Sequence, residues 1–166
     1  MKFILKGDLF QNVENIRQQD LNKEIPIKDY IVHGCNAQGK MGSGFAKVVK
    51  EKYPQAYEDY LDSYKEDGLL LGCTYSTCVE EDLYVVNAIT QEFYGRSKGR
   101  YVDYYLIESC FRELVKEFEF DKVFGYSVRV HYPKIGAGLA GGDWNIIEVI
   151  IDKTLNGSCD QYLHLG

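Results

Sequence analysis

The chain has 166 residues, 45% apolar and 27% charged, with 14 Tyr, 8 Phe and 1 Trp, which excludes disordered and collagen-like chains and suffices for one domain with a real core. Its 19 Lys and Arg against 25 Asp and Glu leave a net charge of −6, which argues against affinity built on neutralising a nucleic-acid backbone or an anionic membrane, though one local site can still take a small anion. No run approaches the roughly 20 apolar residues of a bilayer span, the start lacks a secretion signal, and the scattered odd set Cys35, Cys73, Cys78, Cys110 and Cys159 reads as free thiols in a reducing cytoplasm rather than a zinc site.

In chain order, apolar runs bounded by turn residues predict strands at Phe3–Leu5, Tyr30–Cys35, Leu70–Val79, Leu83–Ile89, Val123–Tyr132 and Gln161–Leu165. Most are apolar on both faces, the pattern of a sheet covered on each side by helices. The polar segment Gln11–Lys28 has no clear period and is compatible with a helix followed by a loop. Helical spacing links Phe45, Val48, Val49 and Tyr53, then Tyr57, Tyr60, Leu61 and Tyr64, where Pro54 suits a first turn. It returns at Val102, Tyr105, Leu106, Cys110, Leu114 and Phe118, and again at Ile147, Ile150, Ile151 and Leu155. Strands alternating with such helices predict an α/β fold, a three-layer α/β/α sandwich whose ligands gather at the carboxyl ends of the strands. Without repeats, low-complexity runs or linkers, residues 1–166 read as a single domain.

The 16 glycines are unevenly spread, and two clusters stand out, Gly34 to Gly44 and Pro133 to Asp143. Each follows an apolar strand and runs into a helix, the arrangement that brings backbone N–H groups and the positive end of a helix dipole to a phosphate. Neither cluster is GxxxxGK[ST], and neither fits GxGxxG with an acidic residue about 20 positions on, so ATP hydrolysis and NAD redox chemistry lose ground. Two such loops suit a diphosphate gripped from both sides. The alternative is that the glycines only form turns and helix caps.

Gly7-Asp8-Leu9-Phe10 after the first strand, IVHGCNAQGKMGSGFAKVVKEKYPQAYEDY, and YPKIGAGLAGGDW opening the last long helix together resemble macrodomains, specifically the ADP-ribose-1''-phosphate phosphatases with their phage and bacterial relatives. The likeness covers nearly the whole chain and is weakest over Gln11–Lys28 and Phe118–Tyr126. It implies a mixed, mostly parallel sheet of about six strands, an ADP-ribose ligand, and hydrolysis of ADP-ribose 1''-phosphate to ADP-ribose and phosphate. No cofactor or metal is expected, and the protein reads as a cytoplasmic monomer whose partner is a small molecule rather than a membrane or a nucleic acid.

Carried over residue by residue, the resemblance places the adenine amino group at Asp8, with Gly7 and Leu9 shaping that end. Asn36, Gly42, Ser43 and Gly44 wrap the distal ribose, and Ile135, Gly136, Ala137, Gly138 and Leu139 cradle the diphosphate. Lys134 belongs to that cradle, although Lys134 and Lys40 read first as solvated loop charges. Gln91 stands at the ligand where macrodomains that free acidic side chains of ADP-ribose carry a lysine, and Ala140 stands where they carry an aspartate, which counts against that chemistry. The segment Gln91–Arg96 is a candidate cover for the cleft, with Phe93 or Tyr94 stacking on the ligand.

His33, Asn36 and Asp143 are the candidate catalytic residues. Strand alternation puts His33 on one face with Ile31 and Cys35, and opposite Val32, Gly34 and Asn36. As a lone histidine in an apolar strand it reads equally as a satisfied core residue. Asp143 precedes Trp144 and a helical run, so it reads both as an N-cap and as a carboxylate facing the distal phosphate. His131 reads as structural, and His164 offers no motif. The alternative functions are a non-catalytic ADP-ribose reader and a hydrolase that removes ADP-ribose from a macromolecule.

Overall fold

A computed structural model describes residues 1–20, 22–95 and 99–166. The strands are β1 (Lys2–Leu5), β2 (Ile27–Asn36), β3 (Thr74–Glu80), β4 (Leu83–Gln91), β5 (Ser127–Tyr132) and β6 (Asp160–His164). The helices are α1 (Leu9–Gln18), α2 (Gly44–Lys52), α3 (Pro54–Glu66), α4 (Tyr104–Val123) and α5 (Trp144–Leu155). The strands form one sheet in the order β1-β6-β5-β2-β4-β3, parallel throughout except for β3, which pairs antiparallel with β4. This is the mixed, mostly parallel α/β arrangement expected. Among the described residues no helix is long and apolar enough to cross a membrane.

Alternation along β2 sorts its side chains into the two halves of the core. Tyr30 and Val32 join Phe111, Leu114, Ile147 and Ile151 under α4 and α5. Ile31 and Cys35 face the other way, towards α1, α2 and α3. Helix α1 occupies the start of the uncertain segment and buries only Leu9, Phe10 and Val13.

Three sequence expectations shift. The third strand begins at Thr74 rather than Leu70, because Leu70 and Leu71 are exposed in the turn before it. The fifth begins at Ser127, because Val123 ends α4 and is exposed. In α4 the buried stripe is Ile107, Cys110, Phe111, Leu114 and Phe118, while Tyr105 points outward and Val102 precedes the helix.

A chain of buried polar groups crosses the sheet between β2, β5 and β6. Asp29 takes two hydrogen bonds from Arg129, both at 2.8 Å, and a third from His131 Nε2 at 2.7 Å. His131 Nδ1 then accepts from His164 Nε2 at 3.1 Å, and His164 Nδ1 accepts from Asn12 Nδ2 at 3.2 Å. Against the upward push of burial, His131 and Arg129 hold the Asp29 carboxyl below its ordinary value. With both rings neutral each ring nitrogen of this chain has a complementary partner, as burial requires.

Candidate functional site

Because β1, β6, β5, β2 and β4 run in one direction, their carboxyl ends share one edge of the sheet. The loops after β2 and β5 meet there around a cavity of about 670 Å3, within the usual range for small-molecule sites.

Asn36 ends β2 and organises the first loop. Its Oδ1 accepts from the Gln38 N–H at 2.9 Å, and its Nδ2 donates to Lys40 O at 2.8 Å, which leaves the second Nδ2 hydrogen over. The Tyr60 hydroxyl, fully buried on α3, lies 2.6 Å from Asn36 O and 2.9 Å from Oδ1, and accepts from the Lys40 N–H at 3.2 Å. The loop therefore hangs on one internal brace. Gly44 opens α2 with φ +61°, a left-handed conformation that favours glycine. Ser43 before it is extended, and its hydroxyl makes no cap bond. The N–H groups of Gly44, Phe45 and Ala46 make no hydrogen bond among the described residues, as expected of a helix first turn.

The second loop supplies the facing wall. Ile135 is buried beneath it. At Gly142 an added Cβ would stand 2.6 Å from Val102 Cγ1 and 2.7 Å from Gly136 O, so the loop closes tightly only with glycine there. At Gly138 an added Cβ would meet nothing within 4 Å, because this residue faces open space. The N–H groups of Gly138, Leu139 and Ala140 make no hydrogen bond among the described residues. Two rows of free N–H groups thus border one cavity, a strong local field for an anion.

Among the described residues the charged ones on the wall are Lys40, Lys50 and Lys134, with no carboxylate. Lys40 and Lys134 are exposed loop residues, whereas Lys50 of α2 is half-buried with its Nζ 4.1 Å from the centre of the Tyr57 ring.

His33 reaches the wall from beneath but is 1% exposed. Asn87 donates its Nδ2 to Ala56 O at 3.1 Å, so its Oδ1 faces His33 Nε2 at 2.6 Å and that nitrogen must carry the proton. Burial pushes the imidazole down to about 4, leaving it neutral at pH 7. Burial likewise raises the neighbouring Cys35 thiol, whose Sγ lies 3.6 Å from His33 Nε2. Neither side chain is poised as a nucleophile or as a reachable proton donor.

Of the expected residues, His33, Asn36, Gly42, Ser43, Gly44, Gln91, Lys134, Ile135, Gly136, Gly138 and Leu139 line the cavity together. Gly7, Asp8, Leu9, Ala137 and Asp143 do not. Leu9 is a core residue, packed with Ile31 and Val49. Asp8 caps α1, its Oδ2 accepting from the Gln11 N–H at 2.9 Å. It is exposed on the same sheet edge, beyond β1 and three strand spacings (about 14 Å) from β2. Ala137 turns back into its own loop, its N–H bonded to Lys134 O.

Asp143 caps α5 through a 2.9 Å bond from the Asn145 N–H to its Oδ1, the N-cap role expected of it, and is not among the cavity-lining residues. Tyr94 lines the cavity, while Phe93 lies outside it and is exposed. Arg96, at the end of the candidate cover, lies outside the described residues. Sequence reasoning did not single out Lys50 or Tyr57 as site residues. Helical spacing placed Tyr57 on an amphipathic helix without showing which end of it the cavity would meet, and Lys50 lies outside the apolar stripe read for the helix before it.

Several known proteins are similar to this chain. The chain is 29% identical to an ADP-ribose 1''-phosphate phosphatase of Debaryomyces hansenii, over 96% of this chain and 97% of that protein. It is 34% identical to an uncharacterized 17.5 kDa protein of Enterobacteria phage T4, over 74% of this chain and 77% of the phage protein. A solved Bacteroides thetaiotaomicron protein of unknown function superimposes with a TM-score of 0.80 at 27% identity, covering 99% of this chain and 98% of that one. The Macro domain family model matches residues 32–151, the stretch that carries both glycine loops. With the parallel strand ends, the two N–H-lined loops and this match together, the chain belongs to the macrodomain family.

Proposed function

We propose that this protein binds ADP-ribose across the carboxyl edge of the sheet and hydrolyses ADP-ribose 1''-phosphate to ADP-ribose and phosphate. The observation that carries this reading is the pair of N–H rows, at residues 44–46 and 138–140, on opposite sides of one cavity. A diphosphate between them receives donors from both sides. The adenine then lies outward over β1, where the exposed carboxylate of Asp8 accepts from its amino group. The distal ribose lies over Asn36, whose remaining Nδ2 hydrogen serves a ribose hydroxyl. The full-length likeness to ADP-ribose 1''-phosphate phosphatases supports the reaction.

In that reaction water adds across the ester, giving its oxygen to one product while the departing oxygen takes a proton. With no carboxylate on the wall and His33 neutral and enclosed, the protein contributes chiefly by orienting the substrate and by fixed dipoles that stabilise charge in the transition state. His33 is a positioning group in this reading, and Asp143 takes no part.

Phosphate release from ADP-ribose 1''-phosphate, measured beside calorimetry with ADP-ribose, tests the proposal. Micromolar or tighter ADP-ribose binding together with phosphate release is expected, and the absence of both sinks it. The missing wall carboxylate favours one second reading, a reader that binds ADP-ribose without turnover, and binding without phosphate release selects it.

A further inference from the structure

We infer that Lys50, held against Tyr57, is the specificity-determining contact for the terminal phosphate, the group that separates ADP-ribose 1''-phosphate from ADP-ribose. This inference rests on the reading above of what the cavity binds.

The first observation is charge. In a chain of net charge −6, the charged residues lining this cavity among the described residues are three lysines. The N–H rows at 44–46 and 138–140 are matched to a diphosphate, so a further phosphate, carrying about −2 near neutral pH, calls for a cation of its own.

Of these three lysines, one is built into the framework. Lys40 and Lys134 sit exposed on loops, whereas Lys50 lies half-buried on α2, with its Nζ over the Tyr57 ring of α3 at 4.1 Å. That contact restrains the flexible stem and removes part of the hydration that a free lysine would have to shed.

Position is the third observation. Ala46 and Lys50 both line the cavity and lie one turn apart on the same face of α2, so Lys50 extends the wall beyond the helix first turn. Helix α3 is bonded to β4 where Asn87 meets Ala56 O. The Lys50–Tyr57 pair therefore stands on the β2–β4 side of the site, while Asp8 stands beyond β1 at the other end of the sheet order. A ligand with its adenine over β1 brings its opposite end, the end that carries the extra phosphate, towards Lys50.

The test compares wild type with Lys50→Met, which keeps an unbranched apolar stem, and Lys50→Arg, which keeps the charge. Two constants are measured for each. One is the ADP-ribose affinity by calorimetry. The other is the KM for ADP-ribose 1''-phosphate in phosphate release, or its displacement of bound ADP-ribose if none is released.

Lys50→Met is expected to weaken the phosphate-bearing ligand about tenfold or more, the scale of losing a charge-assisted hydrogen bond, while ADP-ribose stays within about twofold. Lys50→Arg is expected to retain most of the preference. If both ligands weaken together, or neither does, in a variant with wild-type Tm, the inference falls while the parent reading stands. Wild-type protein that fails to bind ADP-ribose overturns both.

Discussion

At Asp143 the carboxylate is turned towards the Asn145 N–H, outside the cavity, so its removal acts on the helix rather than on the ligand. Asp143→Ala is expected to cost about 1 kcal/mol of stability, the usual worth of an N-cap, and to leave turnover per folded molecule nearly unchanged. Thermal midpoint and phosphate release on the same preparation check this, and a loss of turnover of about 10²-fold would restore the residue to the chemistry. Gly138 is the converse case. A side chain there meets nothing within 4 Å in the protein itself, at a residue that lines the cavity. Gly138→Val is expected to abolish measurable ADP-ribose binding by calorimetry while shifting Tm little.

The loop between β2 and α2 is held by the hydroxyl of Tyr60, which meets Asn36 O, Asn36 Oδ1 and the Lys40 N–H. Tyr60→Phe keeps the buried ring and removes the brace. It is expected to cost about 1 kcal/mol in a denaturant titration and to weaken ADP-ribose several-fold, because a looser loop must be ordered when the ligand binds. Unchanged affinity would show that the loop needs no brace. How far the sequence discloses such features depends on the element. β2 and β4 are apolar on both faces and could be read directly, as could both glycine loops. α1 could not, because Leu9, Phe10 and Val13 are its only buried residues and polar neighbours blur their period. Leu70, Leu71 and Val123 misled because an apolar residue carries no mark of whether it faces the core, and these three face solvent. The brace was equally hidden, since nothing in the spacing of Tyr60 and Asn36 announces that a tyrosine on a later helix reaches back to the end of β2.

For the molecule as a whole the buried histidines set a limit on acid tolerance. Burial is the largest cause lowering all three, with His33 at about 4 and His164 at about 3. His33 is surrounded by uncharged Asn87, Cys35 and Phe45, while His131 faces Asp29, Arg129 and His164. When unfolded, these rings take up protons near pH 6.5; when folded, they do so only at lower pH. Their contribution is therefore complete above that pH and is lost as the pH falls towards the folded values. For His33 alone the gap corresponds to roughly 3 kcal/mol. The lowered Asp29 carboxyl acts in the same sense at still lower pH. Thermal melts are expected to show a clear drop in Tm from pH 7 to pH 5, and a flat profile would contradict the buried neutral rings.

The common direction of β1, β6, β5, β2 and β4 also decides where the chain is free to vary. The segments 81–82, 124–126 and 156–159, which enter β4, β5 and β6, lie on the amino edge, opposite the strand ends that border the cavity. Gly125 and Gly157 there have nothing within 4 Å of an added Cβ. Insertions, reporter groups or surface attachment points placed at Gly125 or Gly157 leave the ligand path untouched. The opposite edge has no such latitude, since its loops are the site, and so the fold separates a margin open to change from one closed to it.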